Sequence, residues 1–328
     1  EGIKGIASEI DKRVKINGKL TRHLPETDAY SPEIIQDAIA KLWLKDNKII
    51  SNTNSRKENV KEKYESLLSG LPKHFITFCP GCPHRASLYI LKKAIMKLNE
   101  EFIIASDIGC YQMGVRPPFC MVDTVFCMGA SIGVADGFYQ AKLKKKIIAT
   151  IGDSTFLHAG IPALINCCYT NADVFIYILD NRTVAMTGLQ PYAGIGVNVR
   201  GEKTKSVDLE DIISACKVDY FKKIDPFEMD ASDKVLMKAL KMKGQRVVIA
   251  RHECAQSANK KAKQERIEIK RYEIDYRKCN GCLACIHTLG CPAITVKNNN
   301  VCINELFCSG CGLCSNICPN KAIFFKKP

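Results

Sequence analysis

Two cysteine runs near the end of the chain constrain its fold more than any other feature. Residues 279–292 read CNGCLACIHTLGCP and residues 308–319 read CSGCGLCSNICP, an internal repeat offset by 29 residues. Three thiolates at a spacing of three, then a fourth before proline, form the run that holds a cubane iron–sulfur cluster, the fourth cysteine of each run ligating the other cluster. The spacing predicts one [4Fe–4S] cluster on Cys279, Cys282, Cys285 and Cys318, and a second on Cys308, Cys311, Cys314 and Cys291. A zinc ribbon is the competing reading, but it uses four ligands in two pairs, not eight in two such runs. Five residues, IHTLG, separate Cys285 from Cys291 where the second run has three, which predicts a bulged loop. Cys302 falls outside the pattern and reads as a buried thiol.

The repeat resembles the bacterial two-cluster ferredoxin module over about residues 268–328. So short a segment has little core, and the clusters themselves are expected to hold it folded. The chain has 18 cysteines, and its opening residues, EGIKGIASEIDKRV, lack a basic start followed by an apolar core. Thiolate ligands in a reducing compartment, not disulfides, follow as the expectation, and the localisation read from them is cytoplasmic. The absence of a starting Met leads us to expect a fragment or a processed chain.

At 328 residues there is room for one sizeable domain and something small beside it. No apolar run approaches the roughly 18–20 residues of a membrane span. The net charge is +14, but the 48 Lys and Arg are spread along the chain. That reads as a solvated lysine-rich surface, with docking of an acidic partner such as ferredoxin, or of phosphate-bearing substrates, as the alternative. No aromatic-and-basic motif accompanies the charge, so nucleic acid is not expected as a partner.

Residues 1–75 read as a helical and connecting segment. In SPEIIQDAIAKLWL, Ser31 can cap a helix with Pro32 at its first position, and KDNKIISNTNSRKENVKEKYESL reads as a polar arm. From 76 to about 260, short apolar runs (EFIIAS, DTVFCM, KIIATI, VFIYIL, VDYFKKI, RVVIAR) alternate with helical patterns such as ASLYILKKAIMKL, IGVADGFYQAKL and GIPALINCCYTN. Such alternation implies an α/β fold, a doubly wound, mostly parallel sheet with helices on both faces, followed by a small α+β ferredoxin-like domain.

In open sheets of this kind ligands collect at the carboxyl ends of the strands. Asp153 stands at the end of the expected strand 147–151 and Asn181 at the end of 174–180, so both side chains can reach one edge. A carboxylate, an amide oxygen and a nearby backbone carbonyl suit Mg²⁺, which completes its octahedron with phosphate oxygens and water. An aspartate that only caps a helix is the alternative.

Gly-Asp-Ser followed by Asn at this distance resembles the GDG…N signature of thiamine diphosphate enzymes. The segments FCPGCPHRASLYILKKA, DIGCYQMGVRPP, DTVFCMGASIGVADGF, IATIGDSTFLHAGIPALIN and ILDNRTVAMTGLQPYAG, with the cysteine repeat, look like the C-terminal part of the indolepyruvate:ferredoxin oxidoreductase large subunits. The resemblance implies that Asp153 and Asn181 ligate Mg²⁺ by side chain and Thr183 by its carbonyl. It also implies that Gly129, Ala130, Ser131, Gly152 and Ser154 line the cofactor, with Thr187 and Gly188 close to the diphosphate or thiazolium. Here GDS stands for the more usual GDG, with the aspartate retained.

Cys79 and Cys82 precede the first helix, and Cys110 and Cys254 follow strands. Related 2-oxoacid:ferredoxin oxidoreductases place cysteines in this way around a cluster next to thiamine diphosphate, so the resemblance implies a proximal third [4Fe–4S] cluster. A zinc site or plain reduced thiols are the alternatives. Cys120, Cys127, Cys167, Cys168 and Cys216 read as core residues. His84 and His158 are candidates for contact with substrate, or are structural histidines.

Thiamine diphosphate supplies a carbanion that attacks the ketone of a 2-oxo acid, and clusters accept electrons singly. Together they imply oxidative decarboxylation, with coenzyme A taking the acyl group and an external ferredoxin the electrons. The resemblance implies arylpyruvates as substrates. The alternatives are a pyruvate or other 2-oxoacid:ferredoxin oxidoreductase subunit and, outside enzymes, an electron-relay subunit with a vestigial thiamine domain. The glutamate that activates the aminopyrimidine has no place in this sequence. It is expected from an N-terminal region or a second subunit, without which the chain is inactive.

Overall fold

The computed structural model describes residues 21, 23, 24, 34–36, 38–41, 77–269 and 271–325. The chain separates into two compact units, Glu1–Phe75 and Ile76–Pro328. In the first, residues 34–36 and 38–41 are helical, inside the expected helix. Its caps at Ser31 and Pro32, and the polar arm, lie outside the described residues.

The second unit is built on a six-stranded sheet, β1 (Phe102–Ser106), β2 (Thr124–Val125), β3 (Lys146–Gly152), β4 (Val174–Asp180), β5 (Tyr220–Ile224) and β6 (Gln245–Arg251). The strands lie in the order β2-β1-β3-β4-β6-β5, and every pairing is parallel. Each of the six expected strands is present. β2 keeps only two residues of its apolar run.

The long apolar runs of β3 and β4 follow from their central place. All seven residues of β4 are buried, because a central parallel strand is covered on both faces. Alternate residues feed two cores. Ile148, Phe175, Tyr177 and Val248 pack under α1 (Pro83–Leu98) and α6 (Met229–Lys241). Ile147, Ala149, Ile176 and Val247 pack under α2 (Ala130–Gln140), α4 (Ile161–Tyr169) and α5 (Leu209–Ala215). Between β3 and α4 the chain makes one short turn, α3 (Asp153–Thr155), and a π turn over Phe156–Gly160. After β1 the chain steps outward to β2 and then back across β1 to β3. The order therefore reverses between β1 and β3, where open α/β sheets leave a crevice at their carboxyl ends.

Beyond α7 (Ala255–Gln264) come two small antiparallel pairs. β7 (Tyr272–Ile274) pairs with β10 (Ile323–Phe325), and β8 (Ile294–Lys297) pairs with β9 (Asn300–Ile303). Two short helices, α8 (Ala284–Leu289) and α9 (Leu313–Ile317), follow the two cysteine runs. In this lobe Cys285, Ile294, Val301 and Ile323 form one buried apolar cluster, and Leu289 and Leu313 pack against Ala86 of α1 in another.

Three expectations are corrected. IHTLG does not bulge as a loop. It continues α8 to Leu289, because Leu289 is 1 % exposed between Ala86 and Leu313, and Gly290 ends the helix at φ +57. Cys120 and Cys127 are exposed, since both stand in loops beside β2 and not on an apolar face. Cys302 is only half-buried, on β9 within reach of the Tyr276 hydroxyl.

Candidate functional site

Asp153 is the first residue of α3, carried to the sheet edge by β3, and it is 3 % exposed. Its Oδ1 accepts from the Ser154 amide at 2.8 Å, and its Oδ2 accepts from the Arg182 amide at 2.9 Å and the Tyr192 hydroxyl at 2.7 Å. This is more than a helix cap, because the carboxylate ties β3 to the loop after β4. Gly152 passes close to a neighbouring ring. A Cβ would stand 3.0 Å from the Tyr111 ring. Burial raises the Asp153 carboxyl above the ordinary range, and the neighbouring Asp180 carboxylate raises it further. Asp180, at the end of β4, is held by Arg251 Nε at 2.5 Å.

Asn181, 5 % exposed, follows Asp180. Its Oδ1 accepts from the Thr183 amide at 3.2 Å and its Nδ2 lies 3.2 Å from His84 Nε2. Burial lowers the His84 pKa to about 4, so the ring is neutral. A carbonyl oxygen keeps a second lone pair, and Asn181 Oδ1 can face both Thr183 and a metal.

These residues line one cleft of about 560 Å³, its open mouth included, at the β1–β3–β4 edge. Gly152, Asp153, Ser154, Asn181, Thr183 and Thr187 are brought together there, with His84 and Cys110 on the wall. The donor set of one carboxylate, one amide and several hydroxyls fits Mg²⁺ and a diphosphate.

Gly129, Ala130, Ser131 and Gly188 are not among the lining residues. Gly129 and Ser131 donate their amides to Asp107 instead, at 2.8 Å and 3.2 Å, while Gly188 turns at φ +123 beside Gln190. His158 does not reach the cleft. It is exposed on the π turn. Sequence reasoning passed over Tyr192, Asp107 and Asp180, although Tyr192 stands in QPYAG and Asp107 in DIGC.

Cys279, Cys282, Cys285 and Cys318 line one cavity with Leu283 and Pro319. The Ala322 amide lies 3.3 Å from Cys318 Sγ, a hydrogen bond of the kind that tunes cluster thiolates. Burial first, and then the neighbouring thiols of Cys311, Cys291 and Cys308, raise the pKa of Cys314. Cys110 has Cys254 and Cys79 as neighbours, and the Cys82 amide donates to Cys79 O at 3.1 Å. Burial, then Cys254 and Cys79, raises Cys110 to about 11, and burial raises Cys82 to about 12. Such thiols become thiolates only beside a compensating positive centre. Among the described residues no three His, Cys, Asp or Glu side chains converge on a single ion. Cubane ligands, each on its own iron, stand further apart than the ligands of one ion.

Residues 107–250 match the family model described as thiamine pyrophosphate enzyme, C-terminal TPP binding domain, and residues 301–324 match a 4Fe-4S binding domain. The chain is 38% identical over 310 residues to indolepyruvate oxidoreductase subunit IorA of Archaeoglobus fulgidus, covering 94% of this chain and 48% of that one. It is 36% identical over 324 residues to the IorA subunit of Methanothermobacter marburgensis, covering 98% and 49%. The chain thus spans about half the length of these curated relatives. Among solved structures, a 2-oxoglutarate:ferredoxin oxidoreductase from Magnetococcus marinus shares the fold at a TM-score of 0.50 and 18% identity, covering 56% of this chain and 66% of that chain. The chain is therefore a homologue of the IorA subunits of indolepyruvate oxidoreductases, carrying a thiamine pyrophosphate-binding domain and a 4Fe–4S binding domain.

Proposed function

We propose that this chain is the thiamine- and cluster-bearing part of a 2-oxoacid:ferredoxin oxidoreductase that acts on arylpyruvates of the indolepyruvate type. One observation carries the reading. Cys110 and His84 belong both to the wall of the Asp153–Asn181 cleft and to the sequence around the Cys79, Cys82, Cys110 and Cys254 group, so carbon chemistry and electron acceptance share a boundary. In the overall change the bond between the carbonyl and carboxylate carbons of the 2-oxo acid breaks and a carbon–sulfur bond to coenzyme A forms. Carbon dioxide, one proton and two electrons leave.

Bound thiamine diphosphate supplies the nucleophilic carbon and the electron sink for decarboxylation. Asp153, Asn181 and the Thr183 carbonyl would hold Mg²⁺. Ser154 offers a hydroxyl to the diphosphate from the same cleft, while the Thr187 hydroxyl donates to Gln190 Oε1 at 2.7 Å. Tyr192 fixes Asp153, and neutral His84 orients the Asn181 amide. Ile108, Met128, Leu179, Val184 and Met186 line the rest, with no Lys or Arg among the lining residues, which supports an apolar side chain over a second carboxylate. Among the described residues no Glu lines the cleft, and we place the activating glutamate on another region or subunit. Electrons leave through the proximal group and the two tail clusters to ferredoxin.

The test is the anaerobic iron, sulfide and thiamine diphosphate content of the protein with and without Asp153→Ala. About twelve irons correspond to three cubanes and about eight to two. Thiamine diphosphate lost in the variant with iron unchanged supports the site; equal retention in both removes it. In the completed complex, carbon dioxide release from indolepyruvate should exceed that from pyruvate and 2-oxoglutarate in kcat/KM. Electron transfer without release from any 2-oxo acid would leave the relay reading.

A further inference from the structure

Arg85 of α1 is 1 % exposed, and the partners of its guanidinium are backbone carbonyls. One terminal nitrogen donates to Leu289 O, two residues before Cys291. The other donates to Phe78 O and, at 3.4 Å, to Cys79 O, at the start of the Cys79–Cys82 loop. Its Nε is buried with no hydrogen-bond partner among the described residues. The charges that bear most on it are the thiols of Cys291, Cys82, Cys311 and Cys79, drawn from both sulfur groups.

The two groups meet at this point. Gly81, between Cys79 and Cys82, lies so close to Ser309 that a Cβ on it would stand 2.1 Å from Ser309 Oγ, and Ser309 sits between Cys308 and Cys311. A guanidinium remains charged in proteins. Left in a buried site without a compensating anion, it would be strongly destabilising. It is placed beside thiols of both groups, which would be thiolates once they ligate iron, and a cation there would favour the more negative, reduced state of whatever both groups hold.

Resting on the reading of Cys79, Cys82, Cys110 and Cys254 as a proximal cluster, we propose that Arg85 is the shared counter-charge of the proximal site and the Cys291, Cys308, Cys311 and Cys314 site, raising the reduction potential of both. It is a positioning residue for electrons. By screening the repulsion between two neighbouring reduced sites, it lets an electron pass from one to the other.

The test is potentiometry followed by electron paramagnetic resonance on the anaerobically purified, iron-loaded protein, comparing wild type, Arg85→Gln and Arg85→Lys. The Cys279, Cys282, Cys285 and Cys318 cluster serves as internal reference. The expected result is a tenfold or greater loss in the one-electron reduction equilibrium at both sites in Arg85→Gln, about 59 mV or more. Arg85→Lys should stay near wild type and the reference cluster should hold still. Loss of iron from both sites in Arg85→Gln, with retention and near-native potentials in Arg85→Lys, also supports the proposal. Unchanged potentials in loaded Arg85→Gln overturn it, as does a shift at one site alone. Equal damage in Arg85→Lys overturns it too, because the fork's hydrogen bonds and not its charge would then be what matters. A wild type with about eight irons means instead that the proximal-cluster reading has failed, and the shared role falls with it.

Discussion

The Tyr192 hydroxyl donates to Asp153 Oδ2 at 2.7 Å, joining the loop after β4 to the first residue after β3. Both residues are buried, at 5 % and 3 % exposure. The bond thus aims a carboxylate that has few ways to turn.

Tyr192→Phe removes that aim and keeps the ring. Loss of a partner that orients a metal ligand typically costs 10–100-fold in metal affinity. The variant should bind Mg²⁺ and thiamine diphosphate about 10–100-fold more weakly in a calorimetric titration, with its iron content unchanged. Undiminished affinity would mean that Tyr192 serves packing alone.

Asp107 is fully buried and accepts from the amides of Ile108, Gly129 and Ser131. Asp107→Ala leaves these donors without an acceptor, and each buried group so orphaned costs about 1–3 kcal/mol. The melting temperature should fall markedly in Asp107→Ala and less in Asp107→Asn, which keeps one acceptor oxygen. Equal melting temperatures in the two variants would show that the capping is dispensable.

Gly81 holds φ +73 against Ser309. In Gly81→Ala the left-handed backbone alone costs about 1–2 kcal/mol. The added methyl also pushes the Cys79–Cys82 loop from the Cys308–Cys311 loop. We expect a lower melting temperature, only partly restored in the Gly81→Ala/Ser309→Gly double variant because the backbone strain stays. Full restoration would assign the whole cost to the contact.

Cys282→Ala should lose one cubane, about four irons, while Cys302→Ala should lose none by iron and sulfide analysis. Cys282 lines the cavity with Cys279, Cys285 and Cys318, whereas Cys302 lies on β9 beside Tyr276. Iron loss in the Cys302 variant would mean that the grouping is misassigned.

What could be read in the chain was local. Cys279, Cys282 and Cys285 meet by short spacing, because loop and helix geometry carries three thiols of one run to one cavity, while Cys318 reaches it from the other run. The six strands were legible because central parallel strands are apolar throughout, as all of β4 is. Asp153 and Asn181 could be paired because each ends a strand and the two strands are neighbours. Local pattern failed where a residue's surroundings come from elsewhere. His158 is turned outward by the π turn, and the Gly129–Ser131 backbone is occupied by Asp107.

By itself, then, the sequence determined the alternation of strands and helices, the spacing within each cysteine run, and the place of Asp153 and Asn181 at two strand ends, since periodicity and short spacing are properties of neighbouring residues. The tertiary structure alone decided the strand order with its reversal between β1 and β3, the Tyr192 bond to Asp153, and the burial of Arg85 between Cys79 and Leu289. Each of these joins residues far apart along the chain, and nothing periodic in the sequence marks which distant partner a side chain will meet once the sheet has closed over it.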